Sequence, residues 1–134
     1  MGQMAARMND SVSGVDVHIV MVPAPPGPPV PTPLPHPFSA VVSAGTSTNV
    51  MIGGQAAAMI GSGTQNTPPH IPTPPGTVFQ IPPTNQGTIS GGSATVLING
   101  KGAARVGDPV MTCNDPAPLG SGTIVSGCAT VMIG

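Results

Sequence analysis

This 134-residue sequence predicts an all-β fold arranged around a pseudo-three-fold axis, and three observations carry the prediction. A fifteen-residue pattern occurs twice intact, and a third copy is split between the two chain ends. Each copy opens on a short, β-branched segment that runs into a glycine turn. Apolar residues concentrate at matching positions of the copies, although Gly and Pro, 19 of each, make up more than a quarter of the chain.

The clearest copy is ATVLINGKGAARVGD at 94–108, and a shift of 46 positions lays it over TNVMIGGQAAAMIGS at 48–62. The C-terminal ATVMIG at 129–134 matches the first half of the pattern, and MAARMND at 4–10 matches the second. A repeat usually marks a unit that buries its apolar face only against its neighbours. A copy shared by the two termini points to a closed ring, so residues 1–134 read as a single domain.

Taken in order, the half-copy at 4–10 supplies a return strand with paired alanines, Ala5 and Ala6. Residues 49–52, 95–98 and 130–133 read as outgoing strands. Gly53-Gly54 and Asn99-Gly100 supply the positive φ of tight hairpin turns. Ala57, Ala58, Ala103 and Ala104 then let the return strands approach closely. Symmetry places Val50, Val96 and Val131 at one level of an inner core and Ile52, Ile98 and Ile133 at the next. Nothing in the pattern calls for a helix.

Two proline-rich stretches separate the copies, at 23–37 and 67–83. Proline fixes φ and lacks a donor, so both are extended excursions. A polyproline linker or ligand is one reading; ordered loops are the other, favoured by their place between symmetry-related strands and by a histidine inside each.

Composition excludes several functions. Charged residues are 5% of the chain and the net charge is −1, which leaves no basic patch for nucleic acid. Four Asp, no Glu, no nucleophile elbow and no phosphate-cradling loop give no catalytic apparatus, so no enzymatic activity is expected. No stretch reaches the ~20 apolar residues of a membrane span, and the first residues lack a secretory signal. Synthesis in the cytoplasm and delivery by another route are expected.

The chemistry-bearing residues are few. His18 lies eight residues after Asp10, His70 eight after Ser62, and Cys113 five after Asp108, so each repeat sends one metal-ligating side chain to a similar height. His36 sits on the return limb of the first excursion, placed to fold back as a fourth. His18, His36, His70 and Cys113 make a closed, tetrahedral set suited to structural Zn²⁺, with no open position for water. A disulfide between Cys113 and Cys128 is the competing reading. Arg7 aligns with Arg105, and Asp10 with Asp108. These pairs read either as cross-links between repeats or partner contacts, or as solvated surface pairs.

LINGKGAARVGDP, with MIGGQAAAMIGSG and MAARMND, resembles the PAAR-repeat proteins. The resemblance implies a small β-rich cone whose base caps a trimeric spike of the VgrG type, with zinc near the apex held by three His and one Cys. It further implies a membrane-piercing tip on a contractile injection machine, such as a type VI secretion system or a phage-tail-like particle. On that reading the base carries the tips Gly53, Gly54, Asn99, Gly100 and Lys101, and the His and Cys lie at the opposite pole. Any cargo effector is expected to be a separate chain. The leading Pro of the motif is replaced by Met4, Ala56 and Gly102, and its Arg by Met59 in the middle copy. The alternative is a stand-alone metal-binding or adhesive β-repeat protein.

Overall fold

Two kinds of β-hairpin alternate along the chain in the computed structural model, which describes residues 2–134. The strands in order are β1 (Gln3–Ala5), β2 (Ser11–Val22), β3 (Val30–Ala44), β4 (Met51–Ile52), β5 (Gln55–Ala56), β6 (Gly63–Asn66) and β7 (Val78–Phe79). There follow β8 (Gln86–Ile89), β9 (Leu97–Ile98), β10 (Lys101–Gly102), β11 (Pro109–Thr112), β12 (Leu119–Ile124) and β13 (Cys128–Ile133). Among the described residues there is no helix, and so none long and apolar enough to cross a membrane.

The first kind of hairpin is short: β4–β5, β9–β10, and β13 with β1, which joins the two chain ends. Gly53 and Gly54 have φ of 57° and 83°, and Asn99 and Gly100 have φ of 54° and 81°. Positive φ at both central residues is the two-residue turn whose twist matches the strands it joins, which is why Gly-Gly and Asn-Gly stand there.

The three return strands meet in a closed cycle of backbone hydrogen bonds. The Ala6 N–H donates to Ala104 O (2.9 Å), the Ala104 N–H to Ala58 O (3.0 Å), and the Ala58 N–H to Ala6 O (3.0 Å). Such close approach of three backbones leaves room for little beyond a methyl group, and the alanines flanking the cycle are fully buried. Successive side chains on an extended strand point to opposite sides. Ala5, Ala57 and Ala103 therefore join a cluster with Ile52, Ile98, Ile133 and Cys128 on one side of the ring. Ala6, Ala58 and Ala104 join a second cluster with Phe38, Val42, Ile89 and Ile124 on the other. The isoleucine level is a buried layer. Val50 and Val131 only pack against its margin and Val96 is 39% exposed, so the valine level is a rim rather than a core layer.

The second kind of hairpin follows each copy of the repeat: β2–β3, β6–β8 and β11–β12. Further pairings of β3 with β6, β8 with β11 and β12 with β2 close these six strands into an antiparallel barrel. Closure leaves no free sheet edge around the barrel. Its interior holds Val12, Phe38, Ala40, Val42, Ile89, Val110 and Ile124.

Both proline-rich excursions are ordered hairpin extensions, not linkers. β2 and β3 pair without a break from Ser11↔Val41 to Val22↔Val30. Pro31, Pro33, Pro35 and Pro37 share one parity of β3, so the N–H groups of Thr32, Leu34, His36 and Phe38 remain for the ladder. The second excursion lays β7 along β2, pairing Val20 with Phe79.

The Arg–Asp pairs form within a copy and do not cross-link repeats. Their guanidinium groups lie at the surface, but the carboxylates are 5% exposed and cap a turn within their own copy. The backbone N–H of Arg7 donates to Asp10 Oδ2 (2.7 Å), that of Arg105 to Asp108 Oδ2 (2.8 Å), and that of Met59 to Ser62 Oγ (3.1 Å). The cap is the shared element, which explains why Ser62 replaces Asp in the copy where Met59 replaces Arg.

Candidate metal centre

The tips of the three barrel hairpins converge, on the side of the ring away from the short hairpins, into a buried polar cluster. Its anchor is β2. Alternation along the strand puts Asp16 and His18 on one face, where they are 0% and 1% exposed. His70 comes from the β6–β8 connection. Its backbone N–H donates to Asn85 Oδ1 (2.7 Å), and the buried Asn66 side chain also binds Asn85 Oδ1 (3.1 Å), so two asparagines fix the loop that carries it. Cys113 directly follows β11. The residues around it zip onto β2, with the Val17 N–H donating to Asn114 Oδ1 (2.7 Å) and the Ile19 N–H to Asp115 Oδ2 (3.0 Å).

One ligating atom from each of Asp16, His18, His70 and Cys113 lies within 4.8 Å of the others. Asp16 Oδ2 is 2.9 Å from His70 Nε2, 3.3 Å from Cys113 Sγ and 3.8 Å from His18 Nε2. Cys113 Sγ is 3.7 Å from His18 Nε2. The other carboxylate oxygen, Oδ1, accepts from Thr112 Oγ1 and from Asn114 Nδ2 (3.3 Å).

His36 stands beside this group, opposite Asp16 in the β2–β3 register. Its ring centroid is 5.4 Å from that of His18 and 5.6 Å from that of His70. Both of its nitrogens are engaged with the backbone. Nδ1 is 2.9 Å from Leu34 O, which assigns the proton to Nδ1, and Nε2 accepts the Thr73 N–H at 3.1 Å. Burial pushes its pKa below that of free imidazole, so the ring is neutral.

Electrostatics set the rest. The chain's three cations, Arg7, Lys101 and Arg105, are elsewhere, so no Lys or Arg balances the Asp16 carboxylate. Burial disfavours its charge, but hydrogen bonds from His18, Thr112, His70 and Cys113 outweigh burial and hold its pKa below the usual range. Burial likewise disfavours an imidazolium at His18, yet Asp16, Cys113 and Asp115 lift its pKa to about 9. His18 Nδ1 has no hydrogen-bond partner, and Asp115 Oδ2 faces it at 3.5 Å.

A family model for the PAAR motif matches residues 80–134. Residues 80–134 carry a PAAR motif. The matched span takes in the intact copy at 94–108 and the C-terminal half-copy, and the alanine cycle ties both to the copies outside it. The motif indicates a structural role at the spike tip of a contractile injection apparatus, in association with a spike protein. No curated protein matches the chain.

The residues present fit a metal. Zinc bonds of about 2.0–2.1 Å to nitrogen and 2.3 Å to sulfur require ligand-to-ligand distances of about 3.3–3.7 Å in a tetrahedron. The 2.9–3.8 Å separations above bracket that range. The partnerless His18 Nδ1 pointing at a carboxylate is the outer arrangement that holds a ligating imidazole with its other nitrogen toward a metal. A disulfide is not formed. Cys113 and Cys128 are free thiols packed in different clusters on opposite sides of the alanine ring.

Asp16, Asp115, Asn114 and Thr112 escaped the reading of the sequence. The chain has only four acidic residues, two of which align as turn caps, so Asp16 and Asp115 were the acids left without a repeat role. That both lie within two residues of His18 or Cys113 was the signal available.

The tips expected to face a partner, Gly53, Gly54, Asn99, Gly100 and Lys101, are exposed at the ends of the short hairpins. Asn99 also donates through Nδ2 to Ser47 Oγ (2.9 Å) of the neighbouring copy, so it has a structural role of its own.

Proposed function

We propose that this protein is a zinc-stabilised spike tip, seated as one chain on a trimeric β-helical spike and driven through a target membrane when the injection apparatus contracts. The observation that carries the reading is the alanine ring, which gives a monomer three equivalent faces. The short hairpins below it expose Met51, Leu97 and Met132 by 61%, 60% and 59%, one from each copy. Three matched apolar side chains on one chain complement a true three-fold end, where their burial removes them from water. Gly53, Gly54, Asn99, Gly100 and Lys101 border the same surface. At the other pole, metal held by His18, His36, His70 and Cys113 ties the three barrel hairpins together where apolar contacts are few, so its binding free energy becomes folding free energy. The scarcity of charge lowers the cost of entering hydrocarbon.

Coexpression with a trimeric spike protein and mass measurement of the purified complex tests the seat. One chain per trimer, lost when Met51, Leu97 and Met132 are all changed to Asp, is the expected result. A wild-type chain that remains free beside the trimer would favour a stand-alone metal-binding or adhesive protein.

A further inference from the structure

We propose that the prolines at 31, 33, 35 and 37 seal the free edge of β3 against strand addition, and so keep a second copy of this chain from joining the β2–β3 hairpin edge to edge. The spike-tip reading enters this inference only as the reason why charge is not used for the purpose.

The edge exists because the β2–β3 hairpin outgrows the barrel. β6 pairs with β3 only between Ala40 and Ala44, and the Thr67 N–H on Ser39 O (3.0 Å) ends that contact. β2 goes on pairing with β3 as far as Val22↔Val30. Among the described residues, no strand pairs with the other side of β3 over Val30–Phe38. At about 3.3 Å per residue this is roughly 30 Å of open strand. Val15 and Val17, opposite Pro37 and Pro35, add an apolar outer face that is 54% and 39% exposed. A long, flat, apolar edge is a template for another chain.

The two edges of the hairpin are managed differently. β2 contains no proline, and its outward residues are covered. The Val17 N–H donates to Asn114 Oδ1 and Val17 O accepts the Asp115 N–H (2.9 Å). The Ile19 N–H donates to Asp115 Oδ2, Ile19 O accepts the Gln80 N–H (2.9 Å), and Met21 O accepts the Thr77 N–H (3.0 Å).

β3 is left uncovered and is disarmed instead. In an antiparallel pair the N–H and C=O of one residue point to the same side. The Ser39 N–H donates to Asn66 Oδ1 (2.8 Å), away from β2, so the odd-numbered residues of β3 face outward. Proline holds every odd position from 31 to 37 and no even one. The edge therefore presents carbonyls without an N–H between Pro31 and Pro37. Pro35 O takes the Thr73 hydroxyl (2.9 Å), a side-chain donor. A strand added here would find acceptors only, and its own inward carbonyls would go unpaired.

The choice of proline fits the rest of the chain. Edges are commonly blunted with lysine. No Asp, Glu, Lys or Arg occurs between Asp16 and Lys101, and a tip that enters hydrocarbon carries each charge at high cost. Proline removes the donors and adds no charge.

Sedimentation velocity on the full chain tests the seal. Pro31→Thr, Pro33→Thr and Pro35→Thr together restore three outward donors and keep the carbonyl at 35 for Thr73. Self-association should tighten by about 100-fold or more over the wild type. Hydrogen exchange should show the amides introduced at 31, 33 and 35 protected in the associated form. Three prolines changed to Thr in the exposed turn of the same hairpin, Pro26, Pro28 and Pro29, should leave association at the wild-type value. Using Pro33→Lys in place of Pro33→Thr in the edge variant should return it to the wild-type value as well. An edge variant that associates no more than wild type, an equal gain from the turn prolines, or association with the introduced amides freely exchanging would each overturn the proposal. Should the triple variant fail to fold, Pro33→Thr alone carries the test: association tighter by about tenfold supports the seal, and wild-type behaviour refutes it.

Discussion

Below the alanine ring, three hairpins of nearly the same sequence contribute Ile52, Ile98 and Ile133 to one apolar layer; above it, three unlike hairpins converge on Asp16, His18, His70 and Cys113. The lower half repeats because its job repeats: each copy must present one strand, one turn and one alanine pair to its neighbours. The upper half does not repeat, because its three hairpins bring unlike side chains into one buried polar cluster with an asymmetric set of donors around it. Symmetry thus holds the base, and a single buried polar centre holds the apex.

The sharpest test of that division is to remove the metal. Chelation of the zinc-loaded protein, or Cys113→Ala, should lower the melting temperature by more than about 10 °C in a calorimetric scan. The surface below the ring proposed to bind the spike should survive below the new transition, so binding to the trimer at low temperature should persist. A scan unchanged by chelation would show that the apex needs no metal to stay folded.

The converse substitution strikes the ring. Ala58 lies in the hydrogen-bonded cycle with no exposure, and Ala58→Val should cost about 1–3 kcal/mol by overpacking, a fall of about 5–10 °C. Zinc content per chain should stay at the wild-type value. Loss of zinc along with stability would mean that ring and apex fold as one unit.

pH acts on the upper half through His18, while the titratable group packed below the ring is the Cys128 thiol, whose pKa is lowered from 9.0 by its hydrogen bond with Thr130. In metal-free protein the His18 pKa is raised from 6.5 to about 9, so its contribution to stability is complete below pH 6.5 and is lost as pH rises through 9. Denaturant midpoints of the metal-free protein should therefore fall between pH 6.5 and 9. Those of the zinc-loaded protein should rise over the same interval, because ligation requires His18 without its proton. Parallel curves would remove His18 from the centre.

Asp115→Asn keeps an acceptor for the Ile19 N–H but removes the charge facing His18 Nδ1. Zinc affinity by competition with a chelator should drop about 10–100-fold, the usual cost of losing an outer partner. An unchanged affinity would leave Asp115 a turn residue only.

The smallest effect is expected at the capped turns. Arg105→Met imitates the Met59 copy and should cost under about 1 kcal/mol, since the guanidinium lies at the surface and the Asp108 cap to the backbone remains. A larger loss in urea unfolding would give the Arg a role that the middle copy lacks.

The repeat made the lower half legible. A split copy can be completed only by bringing the termini together, and the Gly-Gly and Asn-Gly pairs name their turns because few other residues tolerate positive φ. The barrel was less legible. Its strands carry no common sequence, and prolines at 31–37 hide a strand that is tolerated because every second N–H is enough for the ladder to β2. At the apex, spacing from the repeat ends singled out His18, His70 and Cys113, whereas Asp16 left no such mark.

What the sequence determined by itself is the ring: its three-fold pattern, its turns and its paired alanines follow from local φ preferences and from side-chain size, which are properties of residues and their neighbours in the chain. What only the tertiary structure decided is which polar atoms meet. Asp16 and Cys113 are 97 residues apart and lie within 3.3 Å, and His36 turns its lone pair to Thr73, 37 residues on. Such contacts depend on strand register and on the competition of backbone donors for each nitrogen, and those are settled only when the hairpins pack.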